Sequence, residues 1–220
     1  MSQETTGQKD LRRRIIDAAR ALGAEGLSRG TSGNVSARLE DGFLITPSGM
    51  GYEALQPGDV AKVEWEDTPD ETAWPRPSSE WRFHRDIYRA RPEAMAIVHA
   101  HPPFATALAC VHRAIPAFHY MVAAAGGRDI RCAAYATFGT QELSDNVIAG
   151  LEGRRACLMG NHGLVAFGPD LARALALAVE VENLAEQYTR ALSVGVPVVL
   201  DDAEMDRVLV KFKAYGRKAD

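Results

Sequence analysis

The stretch from Ala94 to Pro103, AMAIVHAHPP, constrains the fold more than any other part of the chain. Its small and β-branched residues predict a buried strand over Ala94 to His101, and Pro102-Pro103 end it abruptly because neither can donate to a ladder. Side chains alternate across a strand, so His99 and His101 project to the same side. Two neighbouring imidazoles repel when both are charged, whereas a divalent metal binds both in their neutral forms. The pair therefore points either to a metal site, which needs further ligands, or to two histidines satisfied by ordinary hydrogen bonds. His162 is the candidate third ligand, because the turn Gly160-Asn161-His162-Gly163 presents it between two apolar strands with glycines allowing close approach. Glu80, expected in the first turn of a helix, is the candidate fourth.

The remaining text alternates helical and strand periodicities. Ile15, Ile16, Ala19 and Leu22 share one face of a helix over Leu11 to Leu22, stopped by Gly23. Between Thr31 and Gly51 two short strands are joined at Asp41-Gly42, and a further strand covers Ala61 to Trp65 before a surface loop from Glu66 to Pro77. Ser78-Ser79 are placed to cap a helix from Glu80 to about Arg89, with Phe83 and Ile87 facing the core. A short helix over Phe104 to Val111 follows the central strand. Ala156 to Met159 and Leu164 to Phe167 read as a hairpin. Pro169-Asp170 open the longest helix, which ends before Gly195, and a last helix follows Asp201-Asp202. In that helix Met205, Val208, Leu209 and Phe212 face inward. Hairpins mixed with helices, without an internal repeat, predict an α/β layered domain.

Composition narrows the function classes. The 220 residues are expected to form one domain over 1–220, and 46% hydrophobic with 25% charged residues is ordinary for a globular chain. A formal net charge of −4 offers no electrostatic footprint for nucleic acid or an anionic bilayer. The polar start MSQETTGQKDLRRRII lacks an apolar signal region, and Leu171 to Leu192 carries Arg173, Glu180, Glu182 and Glu186, which disqualifies it as a membrane span. Cys110, Cys132 and Cys157 form no motif and read as reduced core thiols, so a cytoplasmic protein acting on a small molecule is expected.

Three polar clusters, Thr31-Ser32-Gly33-Asn34, Thr46-Pro47-Ser48-Gly49 and Ser78-Ser79, combine hydroxyls, an amide and flexible glycines that could gather around one anion such as phosphate. None has the Gly-Lys-Ser/Thr ending of a nucleotide-binding P-loop. His84, His112 and His119 have no ligand spacing and are expected at the surface or in ordinary hydrogen bonds, with His84 able to support a ligand from behind.

Taken in order, GTSGNVSAR, LITPSGMGYEAL, PSSEWRFHRDIYRARP, VHAHP, IPAFHYMVAAAGG, YATFGTQELS, NHGLVAFG and KFKAYG resemble the class II aldolase/adducin family over nearly the whole chain. The resemblance implies a three-layer fold with a central, mostly antiparallel sheet flanked by helices. It also implies one Zn²⁺ per subunit held by His99, His101 and His162, with Glu80 as a displaceable fourth ligand and acid/base. Phosphate binding falls on Thr31, Gly33, Asn34, Ser48, Gly49, Ser78 and Ser79. Family members are homotetramers with sites between subunits, which would bring Tyr120 and Phe138 from a neighbour and Tyr215 from the carboxyl-terminal tail. The implied reaction is reversible aldol cleavage of a ketose 1-phosphate to dihydroxyacetone phosphate and an aldehyde. L-Fuculose 1-phosphate, giving L-lactaldehyde, is the first expectation, and a 5-deoxy- or 5-methylthio-pentulose 1-phosphate is the alternative. A pentulose-phosphate 4-epimerase, a dehydratase and an adducin-like interaction module without catalysis are the family's other options. The sequence departs from the family pattern beside the histidines, at Ala100, Pro102 and Asn161.

Overall fold

The computed structural model describes residues 6–70 and 72–214. Among them, strands β1 (Asn34–Arg38), β2 (Gly42–Ile45), β3 (Ala61–Glu64), β4 (Ala96–Ala100), β5 (Cys132–Ala133), β6 (Ala156–Met159) and β7 (Gly163–Gly168) form one sheet in the order β3-β2-β1-β4-β7-β6-β5. Every neighbouring pair is antiparallel except β5 with β6. Helices α1 (Thr6–Ala24), α2 (Trp81–Ala90), α3 (Pro103–Cys110), α4 (Gln141–Gly150), α5 (Leu171–Val194) and α6 (Asp202–Ala214) accompany it.

Strand alternation divides the apolar residues between two cores, one on each face of the sheet. Val35, Ala37, Leu44, Ala96, Val98, Ala100, Leu158 and Leu164 join Ile15 and Leu22 of α1, Leu108 of α3 and Val181 of α5. Phe43, Ile45, Val63, Ile97, Met159, Val165 and Phe167 join Trp81, Phe83 and Ile87 of α2 and Leu143 and Val147 of α4. The result is three layers, as the family resemblance implied. β4 lies in the middle, paired with β1 on one side and β7 on the other, which is why its run is apolar on both faces. His99 falls on the α2 side, where Phe83 meets its ring edge-on at 5.4 Å between centroids.

Several local expectations need correction. Helix α1 begins at Thr6, ahead of Leu11, because the polar residues before the apolar stripe continue its outer face. Trp65 lies beyond β3 and donates its indole N–H to Glu40 O. Ser78 and Ser79 do not cap α2. Glu80 itself occupies the position before the first helical residue, and Ser78 Oγ instead accepts from Glu80 N–H and from Asn34 Nδ2. Cys110 is exposed, not a core thiol, while Cys157 is buried and Cys132 half-buried. Strand β5 and helix α4, which no pattern singled out, complete the sheet edge and the second helical layer. The last helix behaves as its apolar spacing predicts: Met205 is fully buried and Val208, Leu209 and Phe212 pack partly against the first core. No helix among the described residues is long and apolar enough to cross a membrane.

Asp170 caps α5, its Oδ1 accepting from Arg173 N–H at 2.8 Å. Asp170→Ala should lower unfolding stability by about 1 kcal/mol, seen as a lower urea midpoint at unchanged slope, because an orphan amide loses its acceptor.

Candidate metal centre

The end of β4 and the turn entering β7 build the centre. β4 and β7 pair through His99↔Val165 and Ala100↔Leu164, so the residue just before Gly163 lies beside His99 and beside His101, which stands one residue past the end of β4 and not within the strand as expected. The connection from β6 closes with Met159 opposite Gly163, leaving Gly160, Asn161 and His162 as a three-residue loop. Asn161 adopts a left-handed conformation, φ 51°, which asparagine tolerates better than most residues. Gly163 is required for the approach, since a Cβ there would collide with Ala100 O and lie 2.7 Å from His101 Cδ2.

The rings of His99, His101 and His162 stand roughly perpendicular to one another, with centroids 4.7–4.8 Å apart. Their nitrogens and a Glu80 carboxylate oxygen all lie within 4.8 Å of each other. His99 Nδ1–H donates to Leu164 O at 2.8 Å, which leaves a lone pair on Nε2. That Nε2 lies 3.1 Å from Glu80 Oε2 and 2.9 Å from His101 Nε2. Glu80 Oε1 is 3.0 Å from His162 Nε2, yet it is buried without a hydrogen-bond partner. Three imidazole nitrogens and a carboxylate thus crowd into one buried space, an arrangement that suits a divalent cation, which binds all of them through their lone pairs at once.

The electrostatics agree with that reading. Burial, followed by the neighbouring His99 and His162, lowers His101 to about 3, so its ring is neutral and able to coordinate. Burial alone would raise Glu80, but the neighbouring His99 and His162 outweigh it and hold the carboxyl well below its usual range. Three imidazoles and one carboxylate make a donor set that suits Zn²⁺ and also admits other divalent ions.

The centre opens into a cleft of about 440 Å³. Thr31, Ser32, Gly33, Asn34, Ser48, Gly49, Ser78 and Ser79 line it together with Glu80, His101 and His162, so the three polar clusters meet at one cavity. Thr46 does not join them: it is fully buried, its Oγ1 accepting from Val35 N–H. Gly33, at φ 88°, brings the first loop against β4, where a Cβ would fall 2.6 Å from His99 O. Tyr52 donates its hydroxyl to Ser32 O at 2.9 Å and pins the same loop. Asn34 is buried, and its amide donates to Glu80 Oε2 at 2.9 Å, so its side chain holds the carboxylate.

Other residues fall differently from expectation. Phe138 lines the cleft of its own chain, beside Tyr135, Ala136 and Asn161, none of which carries a ligand-type spacing in the sequence. Tyr120 is half exposed and lies away from the cleft, in a groove with Phe118, Leu200 and Phe212. Tyr215 lies outside the described residues. His84 is fully buried, and burial, chiefly, lowers it to about 3. His112 is exposed and pairs with Asn161 Oδ1, and His119 accepts from Met121 N–H. Of the three departures beside the histidines, Ala100 points into the first core and Pro102 caps α3; Asn161 alone faces the cleft.

Comparison with known proteins places this arrangement. Residues 13–189 match the family described as the class II aldolase and adducin N-terminal domain. A 5-methylthioribulose-1-phosphate/5-deoxyribulose-1-phosphate aldolase of Rhodospirillum rubrum is 56% identical over 210 residues, covering 95% of this chain and 94% of the relative. An L-fuculose phosphate aldolase of Escherichia coli is 48% identical, covering 96% of this chain and 97% of the relative. A solved structure of an L-fuculose 1-phosphate aldolase superposes with a TM-score of 0.89 at 39% identity, across 96% of this chain and 98% of that one.

Gly33→Ala should destabilise the fold by roughly 1–3 kcal/mol, because the left-handed backbone and the contact with His99 O both resist a Cβ. Chemical denaturation with equal slopes would report it, and a change within 0.3 kcal/mol, about the noise of such a comparison, would refute it.

Proposed function

The chain belongs to the family of the class II aldolase and adducin N-terminal domain, and from that membership we propose that it is a metal-dependent aldehyde-lyase that reversibly cleaves a ketose 1-phosphate between C3 and C4. The products are dihydroxyacetone phosphate and an aldehyde. The observation that carries the reading is the convergence of Glu80, His99, His101 and His162 at one end of a cleft otherwise walled by hydroxyls, glycines and an amide.

When bound by His99, His101, His162 and Glu80, a Zn²⁺ ion supplies Lewis-acid stabilisation for the negative charge that develops on the C2 oxygen as C3–C4 breaks. The protein does the rest by placement. Thr31, Gly33, Asn34, Ser48, Gly49, Ser78 and Ser79 offer hydroxyls and backbone amides to the phosphate, which orients C3 toward Glu80. In the synthetic direction Glu80, kept ionised, takes a proton from the carbon of dihydroxyacetone phosphate that becomes C3. The carbon's electron pair then forms the bond to the aldehyde carbon, and Tyr120 protonates the aldehyde oxygen that becomes the C4 hydroxyl. Cleavage returns both protons along the same routes, so the reaction needs no other reactant.

Tyr120 lies away from its own cleft, so its part in this scheme requires a second copy of the chain, with Tyr215 of the tail in a supporting role. We therefore propose a homotetramer with sites between subunits. The relative at 56% identity favours 5-methylthioribulose or 5-deoxyribulose 1-phosphate as substrate over L-fuculose 1-phosphate, the substrate class of the relative at 48%. The aromatic and apolar wall of Tyr135, Ala136 and Phe138 suits the less hydroxylated aldehyde end of the former pair.

Purified protein should release dihydroxyacetone phosphate from 5-methylthioribulose and 5-deoxyribulose 1-phosphates with higher kcat/KM than from L-fuculose 1-phosphate, measured by coupled reduction of the product. A chelator should abolish the release and added Zn²⁺ restore it. Absence of dihydroxyacetone phosphate from all three sugars would refute the aldolase assignment. His101→Ala should lose bound metal and activity together, whereas Tyr120→Phe should keep its metal and lose mainly kcat; equal metal loss in both would contradict the separate roles.

A further inference from the structure

Behind the candidate metal centre runs a row of buried polar side chains, of which the scheme above leaves His84, Ser36 and Tyr88 unused. His84, on α2, has no exposed surface, and its ring stacks on Phe83 with centroids 4.7 Å apart and 24° between planes. Its Nε2 is 2.5 Å from Asn34 Oδ1, and its Nδ1 is 2.7 Å from Ser36 Oγ. Ser36 Oγ is in turn 2.7 Å from Tyr88 OH. At the other end of the row Asn34 Nδ2 donates to Glu80 Oε2 at 2.9 Å and to Ser78 Oγ at 3.0 Å. Asn34, Ser36 and Tyr88 are buried like His84.

The sense of every bond follows from the carboxylate. Ionised Glu80 only accepts, so the Asn34 amide must turn Nδ2 toward it. Asn34 Oδ1 then faces His84, which must carry a proton on Nε2. With the ring neutral, His84 Nδ1 is left as a lone pair that accepts from Ser36 O–H, and Ser36 Oγ accepts from Tyr88 O–H. Flipping the amide would set Oδ1 against the carboxylate, and it would set Nδ2 against the ring N–H as well unless His84 also changed tautomer.

We propose that His84 is a positioning residue for Glu80, acting through Asn34: its Nε2–H locks the amide in the one orientation that donates to the carboxylate. Asn34 Nδ2 is a hydrogen-bond donor that holds Glu80 from the protein side, whereas the other polar atoms close to the carboxylate among the described residues, His99 Nε2 and His162 Nε2, belong to the candidate ligand set itself. A lock on the amide therefore fixes the carboxylate's direction toward the cleft. The kinetic consequence rests on the aldolase reading, while the hydrogen-bond row stands without it.

Two measurements on the full-length, Zn²⁺-loaded protein test this. First, ¹⁵N chemical shifts of the imidazole nitrogens should show His84 as the neutral Nε2–H tautomer in the wild type; an Nδ1–H tautomer would overturn the proposal. Second, His84→Phe keeps the ring on Phe83 but removes both nitrogens, and it should lower kcat about 10- to 100-fold, the cost of leaving a buried polar group unpaired, with KM and zinc content near wild type. His84→Gln, whose side-chain N–H can reach Asn34 Oδ1, should recover most of that loss. In an Asn34→Ala background, His84→Phe should cost nothing further, because the lock has nothing left to hold. Unchanged kcat in His84→Phe, no recovery by glutamine, or independent multiplication of the two losses would each overturn it. If His84→Phe does not fold, the tautomer and the glutamine variant still decide. A wild type that cleaves none of the ketose 1-phosphates would refute the aldolase reading alone, since the tautomer is read without substrate.

Discussion

The antiparallel pairing of β4 with β7 is the constraint on which the rest of the structure depends. It brings the end of one strand, carrying His99 and His101, against the start of another, preceded by His162, without any long side chain having to reach. The pairing is possible at that rung only because Gly163 has no Cβ to meet Ala100 O. Both strands are apolar on both faces, so burial beneath helices on each side keeps the register from slipping; a shift by one residue would turn every core side chain the wrong way. The precision of the centre is thus inherited from the sheet.

Burying three imidazoles and a carboxylate is costly unless each polar atom finds a partner. The protein settles some of these needs itself: Leu164 O accepts from His99, and Asn34 holds one oxygen of Glu80. The remaining ring nitrogens and carboxylate oxygen lie close to one another, a donor set that suits a dication. Low dielectric strengthens the arrangement in both directions, making the unpaired state expensive and the coordinated one rigid. The adjoining hydroxyl and glycine loops carry no cation of their own; what they offer an anion entering the cleft is hydroxyls and backbone amides.

How much of this was legible beforehand differs from residue to residue. His99 and His101 announced themselves because a strand's period of two makes their shared side a local property. His162 was visible as a histidine in a glycine-flanked hairpin turn. Glu80 needed the further expectation of a helix start, and its place is one residue earlier than that, since Ser78 hydrogen-bonds toward the centre instead of capping. Tyr135, Ala136 and Phe138 gave no periodic signal, being loop residues between β5 and α4. His84 was legible as a histidine able to support a ligand from behind, but not its partners, because nothing local says that Asn34 and Ser36, on a strand far away in sequence, stand opposite it. Cys110 misled for the converse reason: a small apolar residue at the end of a short helix is exposed or buried according to what packs over it, and nothing among the described residues covers it.

The sequence by itself determined the things that depend on neighbours along the chain: the residue types of the candidate ligand set, the strand that leads to two of them, the turn chemistry around the third, and the apolar stripes of the helices. Only the tertiary structure decided which distant groups meet. That the three polar loops share one cleft, that Asn34 turns inward to Glu80 while Thr46 serves the backbone, and that Tyr120 lies outside its own cleft are consequences of strand order and layer packing. Local periodicity encodes which way a side chain points, but who stands in front of it is set by contacts across the sheet between residues tens of positions apart.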